Sequence, residues 1–298
     1  MQGIIDFLTS DNILFEENVD GKRLCSFHVG GSVRLVVKPQ NAEQLTGLYA
    51  YLKENNIESI ILGKGSNIVI NDRGFDGVVV LLSEFNTLEL HDNQIIAGAG
   101  VSMLKLASFA QQNGLCDLEF AHGIPGTVGG GVYMNAGAYG GEISQVLSSC
   151  YILDKSCGKL FAMMGEDCNF SYRHSIFMEN KDLIVLFATF ELKEGNPDEI
   201  KAKMDEYRAK RQASQPLEYP SAGSTFKRPE GHFAGKLIED CGLKGYTVGG
   251  AQVSEKHAGF VINRGGATCD DIKKLVKHIQ KTVKEKFNVS LECEMEFI

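Results

Sequence analysis

The sequence lacks the features that mark membrane-spanning and exported proteins. It contains no run of about 18 apolar residues, so no transmembrane helix is expected. Its first residues, MQGIIDFLTSDNILFEEN, have no positively charged start, and Asp6 and Ser10 interrupt their apolar stretch, so a signal peptide is not expected either. These absences predict a cytoplasmic protein that has no membrane partner.

Paired cysteine motifs and an excess of basic charge are absent as well. The eight cysteines form no CxxC pair and no zinc-like spacing with histidine, so we expect reduced thiols and no metal site. The formal net charge of -8 argues against a nucleic-acid-binding protein, because such a surface would be basic. A local basic pocket for a diphosphate remains compatible with this charge.

The pattern of short strands favours an α+β fold over a doubly wound one, because the predicted strands outnumber the helices between them. Pro216 and Pro220 mark a linker, which is the clearest domain boundary. The strands are predicted at 34–38, 59–62, 68–70, 78–82, 87–90, 94–97, 146–153, 159–164, 184–192, 247–253, 259–263 and the C-terminus. The helices are predicted from Asn41, over 102–114, from Asn196 to about 213, over 233–241 and from Thr268.

The first of two glycine-rich segments, LGKGSN (62–67), follows an apolar strand. It is not a Rossmann fingerprint, because Ile68 stands where the third glycine would be and the next segment is a strand. No GxxxxGK[ST] motif occurs, which excludes a Walker loop. Two interpretations remain: a turn whose backbone N–H groups approach a pyrophosphate, or a plain β-turn.

The second segment, GIPGTVGGGVYMNAGAYGGE (123–142), is far richer in glycine. So many glycines lose backbone entropy on folding, and positive φ angles together with close approach to a bulky cofactor would offset that loss. A flexible linker is the alternative, but Ile124, Val128, Val132 and Tyr133 make the segment too apolar for one. The pattern therefore predicts a cofactor-binding loop.

Three polar residues form a candidate catalytic set: Arg173 in SYRHS, Ser224 in SAGSTFKRP and Glu294 in LECE. The always protonated Arg can hold developing negative charge, a Ser hydroxyl can give a proton to a carbanion, and a carboxylate can orient or polarise both. The set suits reduction of an electron-poor C=C bond. Taken singly, each has a plain alternative: a surface Arg, a turn Ser and an exposed strand residue.

In this order, the five segments resemble the UDP-N-acetylenolpyruvoylglucosamine reductases, the FAD enzymes of peptidoglycan precursor synthesis. The patterns GxGSN and GIPGxxGGxxxMNAGAYGxE carry the resemblance, SFHVGG (26–31) adds to it, and it spans residues 23–298. It implies an α+β fold with a two-lobed FAD-binding domain of the vanillyl-alcohol-oxidase (PCMH) type and a smaller α/β substrate-binding domain. The implied parts are lobe 1 at 1–73 joined by the C-terminal strand 286–298, lobe 2 at 74–210 and the substrate-binding domain at 211–285.

The resemblance also implies which residues contact the cofactor. Segments 63–67 and 126–130 would cradle the FAD pyrophosphate, and 135–137 would lie along the flavin or its ribityl chain. The implied cofactor-binding residues are Gly63, Lys64, Gly65, Ser66, Asn67, Ile68, Gly123, Gly126, Thr127, Gly130, Asn135, Ala136 and Gly137.

The implied reaction has two halves. NADPH would reduce FAD and leave, and flavin N5 would then pass hydride to the methylene carbon of UDP-N-acetylglucosamine enolpyruvate. Arg173 and Glu294 would stabilise the resulting enediolate and Ser224 would donate the proton, giving UDP-N-acetylmuramate. A monomer is expected. The implied substrate-binding residues are Lys227, Arg228, Gln252, His257 and Asn263, with a structural role as the alternative for His257.

Four positions depart from the family pattern: Lys64 replaces a small residue, Thr127 a Ser, Gly131 an Ala and Glu296 a basic residue. The chain also lacks room for the Tyr-bearing loop of larger members and therefore resembles the shorter class. Two competing functions are an oxidase of the same flavin fold that uses O₂ and a non-catalytic nucleotide-sugar-binding protein. The complete polar set and the absence of a His in the first glycine-rich segment argue against them.

Overall fold

A computed structural model describes residues 2–298 of the chain. The eight helices found in this range begin mostly at polar capping residues; Asn41, for example, accepts the N–H of Gln44 and starts the second helix. The helices are α1 Gln2–Ser10, α2 Ala42–Glu54, α3 Met103–Gln112, α4 Val128–Tyr133, α5 Ile176–Glu179, α6 Pro197–Ser214, α7 Ala234–Asp240 and α8 Cys269–Phe287.

The strands are short, as the pattern predicts, and form separate sheets. They are β1 Leu14–Asp20, β2 Ser32–Lys38, β3 Ser59–Leu62, β4 Ile68–Val69, β5 Phe75–Leu81, β6 Leu88–His91, β7 Gln94–Gly98, β8 Leu115–Cys116, β9 Gly137–Ala138, β10 Gly141–Glu142, β11 Leu147–Asp154, β12 Lys159–Met164, β13 Leu183–Glu191, β14 Lys193–Glu194, β15 Thr247–Val248, β16 Ala251–Val253, β17 Val261–Asn263 and β18 Glu296–Phe297. The largest sheet has the antiparallel order β12-β11-β13-β7-β6, a second has the order β1-β2-β5-β3, and a third has the order β15-β16-β17.

The chain divides into two compact units. Unit 1 comprises the residues up to 16 together with 35–63 and 77–209, and unit 2 comprises 17–34, 64–76 and 210–298. The three-part division expected from the family resemblance stays a prediction.

Unit 1 contains two apolar cores. One lies between the five-stranded sheet and helices α3 and α4, where Ile95, Phe190 and Val132 are fully buried. The other lies beside β3 and β5, which pair in parallel, and buries Leu45 of α2 and Leu8 of α1. Helix α1 was not predicted, because its only apolar repeat is one turn long and its first turn carries no acidic residue.

The second glycine-rich segment contains a helix where the sequence predicted only a loop. Thr127 caps α4 by accepting the N–H of Gly130 at 3.4 Å. A Cβ at Gly129 would lie 3.0 Å from Ala99, and one at Gly131 would lie 3.0 Å from Met103. Within the segment only Gly140 among the glycines has a positive φ. The glycines of α4 therefore serve close helix packing, and the expected general use of positive φ angles was wrong.

Unit 2 is built on α8, whose apolar face is buried as its sequence period predicts. Its first turn is capped twice: Thr268 and Asp271 form a capping box, and Asp72 accepts the N–H groups of Cys269 and Asp270 at 2.7 and 2.9 Å. The C-terminal strand, expected over 286–298, is limited to β18, which pairs in parallel with β4. Residues 292–294 pair with 225–227 and do not extend it. The buried face consists of Ile272, Leu275, Val276, Ile279 and Val283.

Within residues 2–298, no helix is long and apolar enough to cross a membrane. In the same range, no group of three or more His, Cys, Asp or Glu side chains is placed to hold a metal ion. All eight cysteines are free thiols.

Candidate functional site

The two glycine-rich segments approach each other inside unit 1 at Gly63 and Thr127. A Cβ at Gly63 would lie 2.5 Å from Thr127 Oγ1, so this position has no room for a side chain. Gly63 is exposed, and Gly126 and Gly130 are half-buried. The approach therefore presents main chain without side-chain cover, which is the surface that a pyrophosphate needs. On this observation the residues present fit an FAD cofactor.

Backbone hydrogen bonds hold the second segment in place. Gly126 O accepts the N–H of Met103 at 3.1 Å, and the Gly129 N–H donates to Ala99 O at 2.9 Å. The segment is thus attached on both sides of Thr127, to Ala99 after β7 and to the first residue of α3. This attachment makes the main-chain surface around Thr127 rigid.

Asn135 lies in the turn that follows α4 and is fully buried. Its Nδ2 donates to Ser171 O at 3.0 Å, and its Oδ1 accepts the Ser144 N–H at 3.0 Å. Ala136 is buried too, and Gly137 pairs with Glu142 in the β9–β10 hairpin. The Asn135 side chain is therefore fully used in bonds to protein backbone. A cofactor that lies along residues 135–137 would contact their main chain.

Arg173 is held on a tight turn in which Ser171 and His174 exchange two backbone hydrogen bonds of 3.2 and 3.1 Å. Its φ is 55°, an uncommon angle for a residue with a side chain, which costs about 1–2 kcal/mol. Its Nη2 donates to Gly137 O at 2.9 Å, and its guanidinium carbon lies 5.2 Å from the ring centroid of Tyr172. The sequence therefore folds so that Arg173 is placed against the second glycine-rich segment.

Unit 2 contains the remainder of the first glycine-rich segment. Gly65 has a φ of 60°, and a Cβ there would lie 1.9 Å from Leu24 O, so only glycine fits this turn. Asn67 donates from Nδ2 to Glu294 O at 2.9 Å, and Asn67 O accepts the Glu296 N–H at 3.0 Å. Lys64 is exposed, Ser66 is half-buried, and Ile68 pairs with Glu296. The segment is thus tied to the C-terminal residues.

Ser224 and Glu294 come together in unit 2 through an antiparallel pairing. The Glu294 N–H donates to Thr225 O at 2.9 Å, and Phe226 bridges to Cys293. Thr225 is fully buried, and its Oγ1 accepts the Val261 N–H at 2.9 Å. Ser224 itself is exposed and Glu294 is half-buried. The exposed Ser224 therefore directly precedes Thr225, which is the backbone hydrogen-bond partner of the half-buried Glu294.

The substrate-binding residues predicted in unit 2 differ in their surroundings. Lys227 Nζ lies 2.5 Å from Glu292 Oε1, and Arg228 stacks over Phe233 with its guanidinium carbon 3.9 Å from the ring centroid. Arg228 is exposed and Lys227 is half-buried, and both follow Ser224 closely in the same segment. Both side chains could bind an anionic ligand if they gave up their contacts with Glu292 and Phe233, which are weak because they lie near solvent.

Three further predicted substrate residues use their side chains inside unit 2. Gln252 donates to Gly245 O at 3.2 Å, and Asn263, which is buried, donates to Phe27 O at 3.1 Å. His257 Nδ1 accepts the Gly259 N–H at 3.1 Å, and burial lowers the pKa of its imidazole. Each of these three side chains shapes a loop.

The structure thus assembles each unit's share of the predicted residues separately. Unit 1 groups Gly63, Thr127, Asn135 and Arg173, and unit 2 groups segment 64–67 with Ser224 and Glu294. Sequence reasoning missed the backbone carbonyl of Ser171, the backbone N–H of Ser144 and the hydroxyl of Ser175, which hold the Asn135 and Arg173 turns. Backbone groups leave no signal in the residue type, and a serine whose hydroxyl bonds distant backbone resembles any surface serine in sequence.

Two known protein-family models match the chain, one in its N-terminal part and one at its C-terminal end. The model of the FAD binding domain matches residues 33–162, and the model of the UDP-N-acetylenolpyruvoylglucosamine reductase, C-terminal domain, matches residues 215–298. The first match agrees with the bare main-chain surface at Gly63 and Thr127. Together, fold and site define an FAD-binding oxidoreductase.

Whole-chain relatives specify the family. The chain is 50% identical over 283 residues to the UDP-N-acetylenolpyruvoylglucosamine reductase of Clostridium novyi, covering 95% of this chain and 92% of the relative. It is also 50% identical over 269 residues to the reductase of the same name from Listeria monocytogenes, covering 90% of each chain. The chain belongs to the UDP-N-acetylenolpyruvoylglucosamine reductase family.

A solved structure agrees with this assignment. The crystal structure of UDP-N-acetylenolpyruvylglucosamine reductase from Thermus caldophilus matches with a TM-score of 0.82 and 33% identity, covering 96% of this chain and 99% of that one. The expected fold class is confirmed as an α+β protein with an FAD-binding domain and the C-terminal domain of the reductase family.

Proposed function

We propose that the chain reduces UDP-N-acetylglucosamine enolpyruvate to UDP-N-acetylmuramate in peptidoglycan precursor synthesis, with FAD as cofactor and NADPH as reductant. Family membership supports the reaction, and the FAD binding domain supports the cofactor. NADPH as the electron source rests on the family resemblance. The observation that carries most of the proposal is the pairing of 225–227 with 292–294, which brings Ser224 close to Glu294.

In this proposal, FAD is held mainly by backbone of the two glycine-rich segments. The exclusion of a side chain at Gly63 supports this role, and the ammonium of Lys64 adds positive charge suited to a pyrophosphate. Held there in its reduced form, FAD would supply the hydride for the methylene carbon of the substrate, from flavin N5 as the family resemblance implies. The residues assigned to FAD are Gly63, Lys64, Gly65, Ser66, Asn67, Ile68, Gly123, Gly126, Thr127, Gly130, Asn135, Ala136 and Gly137.

Arg173 is proposed to stabilise the negative charge that develops on the substrate carboxylate and the adjacent carbon. Its hydrogen bond to Gly137 O and its tight turn support this role, since a charge that is already oriented costs no reorganisation during the reaction. Glu294 is proposed to polarise and orient the same group.

Ser224 is proposed to donate its hydroxyl proton to the second carbon of the enolpyruvyl group. Hydride and proton together add two hydrogens across the C=C bond. The neighbouring Gly223 has no atom within 4 Å of a Cβ position, and Ser224 is exposed, so a substrate can reach the hydroxyl. The backbone and side-chain hydrogen bonds of Thr225 fix the chain directly after Ser224.

The substrate contacts are proposed to be of two kinds. Lys227 and Arg228 bind the carboxylate or the diphosphate through charge. Gln252, His257 and Asn263 shape the substrate-binding surface of unit 2 through the loops that their side chains hold. A monomeric state and a cytoplasmic location stay predictions.

Replacing Ser224 tests the proposal. In Ser224→Ala, NADPH should reduce the bound flavin at the wild-type rate, whereas reoxidation by the enolpyruvyl sugar without oxygen should slow about 10²–10⁴-fold, because the proton donor is gone. Ser221→Ala is the matched control, since the backbone carbonyl of Ser221 makes the contact with Ser26 and is kept. Wild-type reoxidation in Ser224→Ala would contradict the assigned role.

A further inference from the structure

Asn135 makes a connection that the cofactor-binding role does not explain. Its amide is fully buried and bridges two distant stretches of unit 1, donating to Ser171 O and accepting from the Ser144 N–H, both at 3.0 Å. Removing the amide would take from Ser171 O one of its two donors, the other being the His174 N–H, and from the Ser144 N–H its acceptor Asn135 Oδ1. The side chain therefore fixes where the residue 171 backbone lies.

Two further side-chain bonds join the same stretches. Arg173 Nη2 donates to Gly137 O at 2.9 Å, and the fully buried Ser175 donates from Oγ to Tyr133 O at 2.5 Å. Segments 133–137 and 171–175 are thus linked by three hydrogen bonds. Only the bond of Asn135 is made by a side chain of the glycine-rich segment; the other two are made by side chains of segment 171–175. Both ends of the turn that presents Arg173 are held, so its guanidinium has little freedom.

The backbone at Asn135 is adapted to this task. Its φ is 46°, a left-handed conformation that Asn tolerates far better than most residues with a side chain. The turn therefore points the amide back toward Ser171 while the chain continues into β9. The residue type follows from both demands: a left-handed backbone and a side chain that donates and accepts at once.

We propose that Asn135 is a positioning residue that fixes the Arg173 turn, residues 171–174, on the second glycine-rich segment. It acts through Arg173 and does not itself touch the substrate. The inference rests on the proposed function in taking Arg173 as the group that stabilises the reaction's negative charge. It adds that the fixed conformation of the Arg173 turn depends on the side-chain amide of Asn135 in the glycine-rich segment.

Two substitutions separate the side chain from the backbone. Asn135→Gly keeps the left-handed turn and removes both amide bonds, whereas Asn135→Asp keeps the acceptor for Ser144 and loses the donor to Ser171. Asn169→Gly is the matched control, because Asn169 also has a left-handed φ of 48° and its amide bonds only Glu179.

Amide hydrogen exchange of the purified protein tests the positioning directly. Protection of residues 171–175 should fall about tenfold or more in both Asn135 variants, while α4 and β13 keep theirs and Asn169→Gly matches the wild type. Unchanged protection of 171–175 would overturn the inference. This readout needs no turnover, so it decides the inference even if the proposed reaction fails.

Flavin reoxidation by the enolpyruvyl sugar then tests the link to Arg173. Both Asn135 variants, assayed with FAD bound, should slow it about 10–100-fold, because a small misplacement of a catalytic group has effects of this size. In an Arg173→Ala background, Asn135→Gly should cause no additional slowing. A multiplicative loss in the double variant would show that Asn135 acts independently of Arg173 and would overturn the inference.

Discussion

Gly63→Ala gives a quantitative test of the cofactor surface. The new Cβ would lie 2.5 Å from Thr127 Oγ1, whereas ordinary contacts begin at 3.4 Å, so atoms must move by about 0.9 Å. The overlap is relieved only if Gly63 or Thr127 shifts, and either shift moves backbone that is proposed to hold the FAD pyrophosphate.

The strain should therefore appear as a loss of FAD affinity. Overpacking of this kind costs about 1–3 kcal/mol, which corresponds to a dissociation constant raised about 5- to 150-fold. Flavin fluorescence during titration of the apoprotein measures this constant, and thermal unfolding of the apoprotein measures any separate loss of stability.

Removing the colliding atom supplies the control. In a Thr127→Ala background, the nearest atom to the new Cβ is the residue 127 Cβ at 3.5 Å, an ordinary contact, so Gly63→Ala should weaken FAD binding less than about threefold. An equal loss of affinity in both backgrounds would refute the reasoning that the approach of Gly63 to Thr127 builds the cofactor surface.

Three stability predictions follow from other contacts, each measured by urea unfolding. Gly47→Ala should stabilise the protein by about 0.5–1 kcal/mol, because Gly47 lies inside α2 and a Cβ there meets no atom closer than 4.0 Å; a loss of stability would contradict this. Asp271→Asn should destabilise it by about 1 kcal/mol at pH 7. Burial opposes the charged form of Asp271, but hydrogen bonds from Thr268 and Gly250 prevail and lower its pKa, so the contribution is complete above about pH 4 and lost as the pH falls below that value. A difference from the wild type that stays constant as the pH falls from 7 to the acid limit of folding would contradict this assignment. Burial lowers the pKa of His257, so the unfolded chain binds its proton first and stability should fall as the pH drops below about 6.5; His257→Gln should reduce this slope, and an unchanged slope would refute the role.

Local patterns made much of the fold predictable. The Thr268 cap and the 3.6-residue apolar period locate α8, and Asn196 with Pro197 locates the start of α6. Such signals depend only on residues within one or two turns of each other. Helix α4 escaped prediction because glycine is a poor helix former, and the need for small residues against Ala99 is set by distant packing.

The candidate site was predictable as residue types but not as an arrangement. The pairing that sets Ser224 near Glu294 joins segments about 70 residues apart, and nothing local specifies that register. The same holds for Asn135, which was expected to lie along the flavin or its ribityl chain and whose side chain bonds Ser171 O, a contact that the sequence did not indicate. Hydrogen bonds between distant segments follow from the folded topology and leave no periodic trace in the sequence.

Anaerobic NADPH oxidation by the purified FAD-loaded protein tests the central claim most directly. The proposal predicts continuous oxidation that requires UDP-N-acetylglucosamine enolpyruvate and yields one UDP-N-acetylmuramate per NADPH consumed. Flavin that is reduced once and then waits for oxygen, with the enolpyruvyl sugar unchanged, would contradict it.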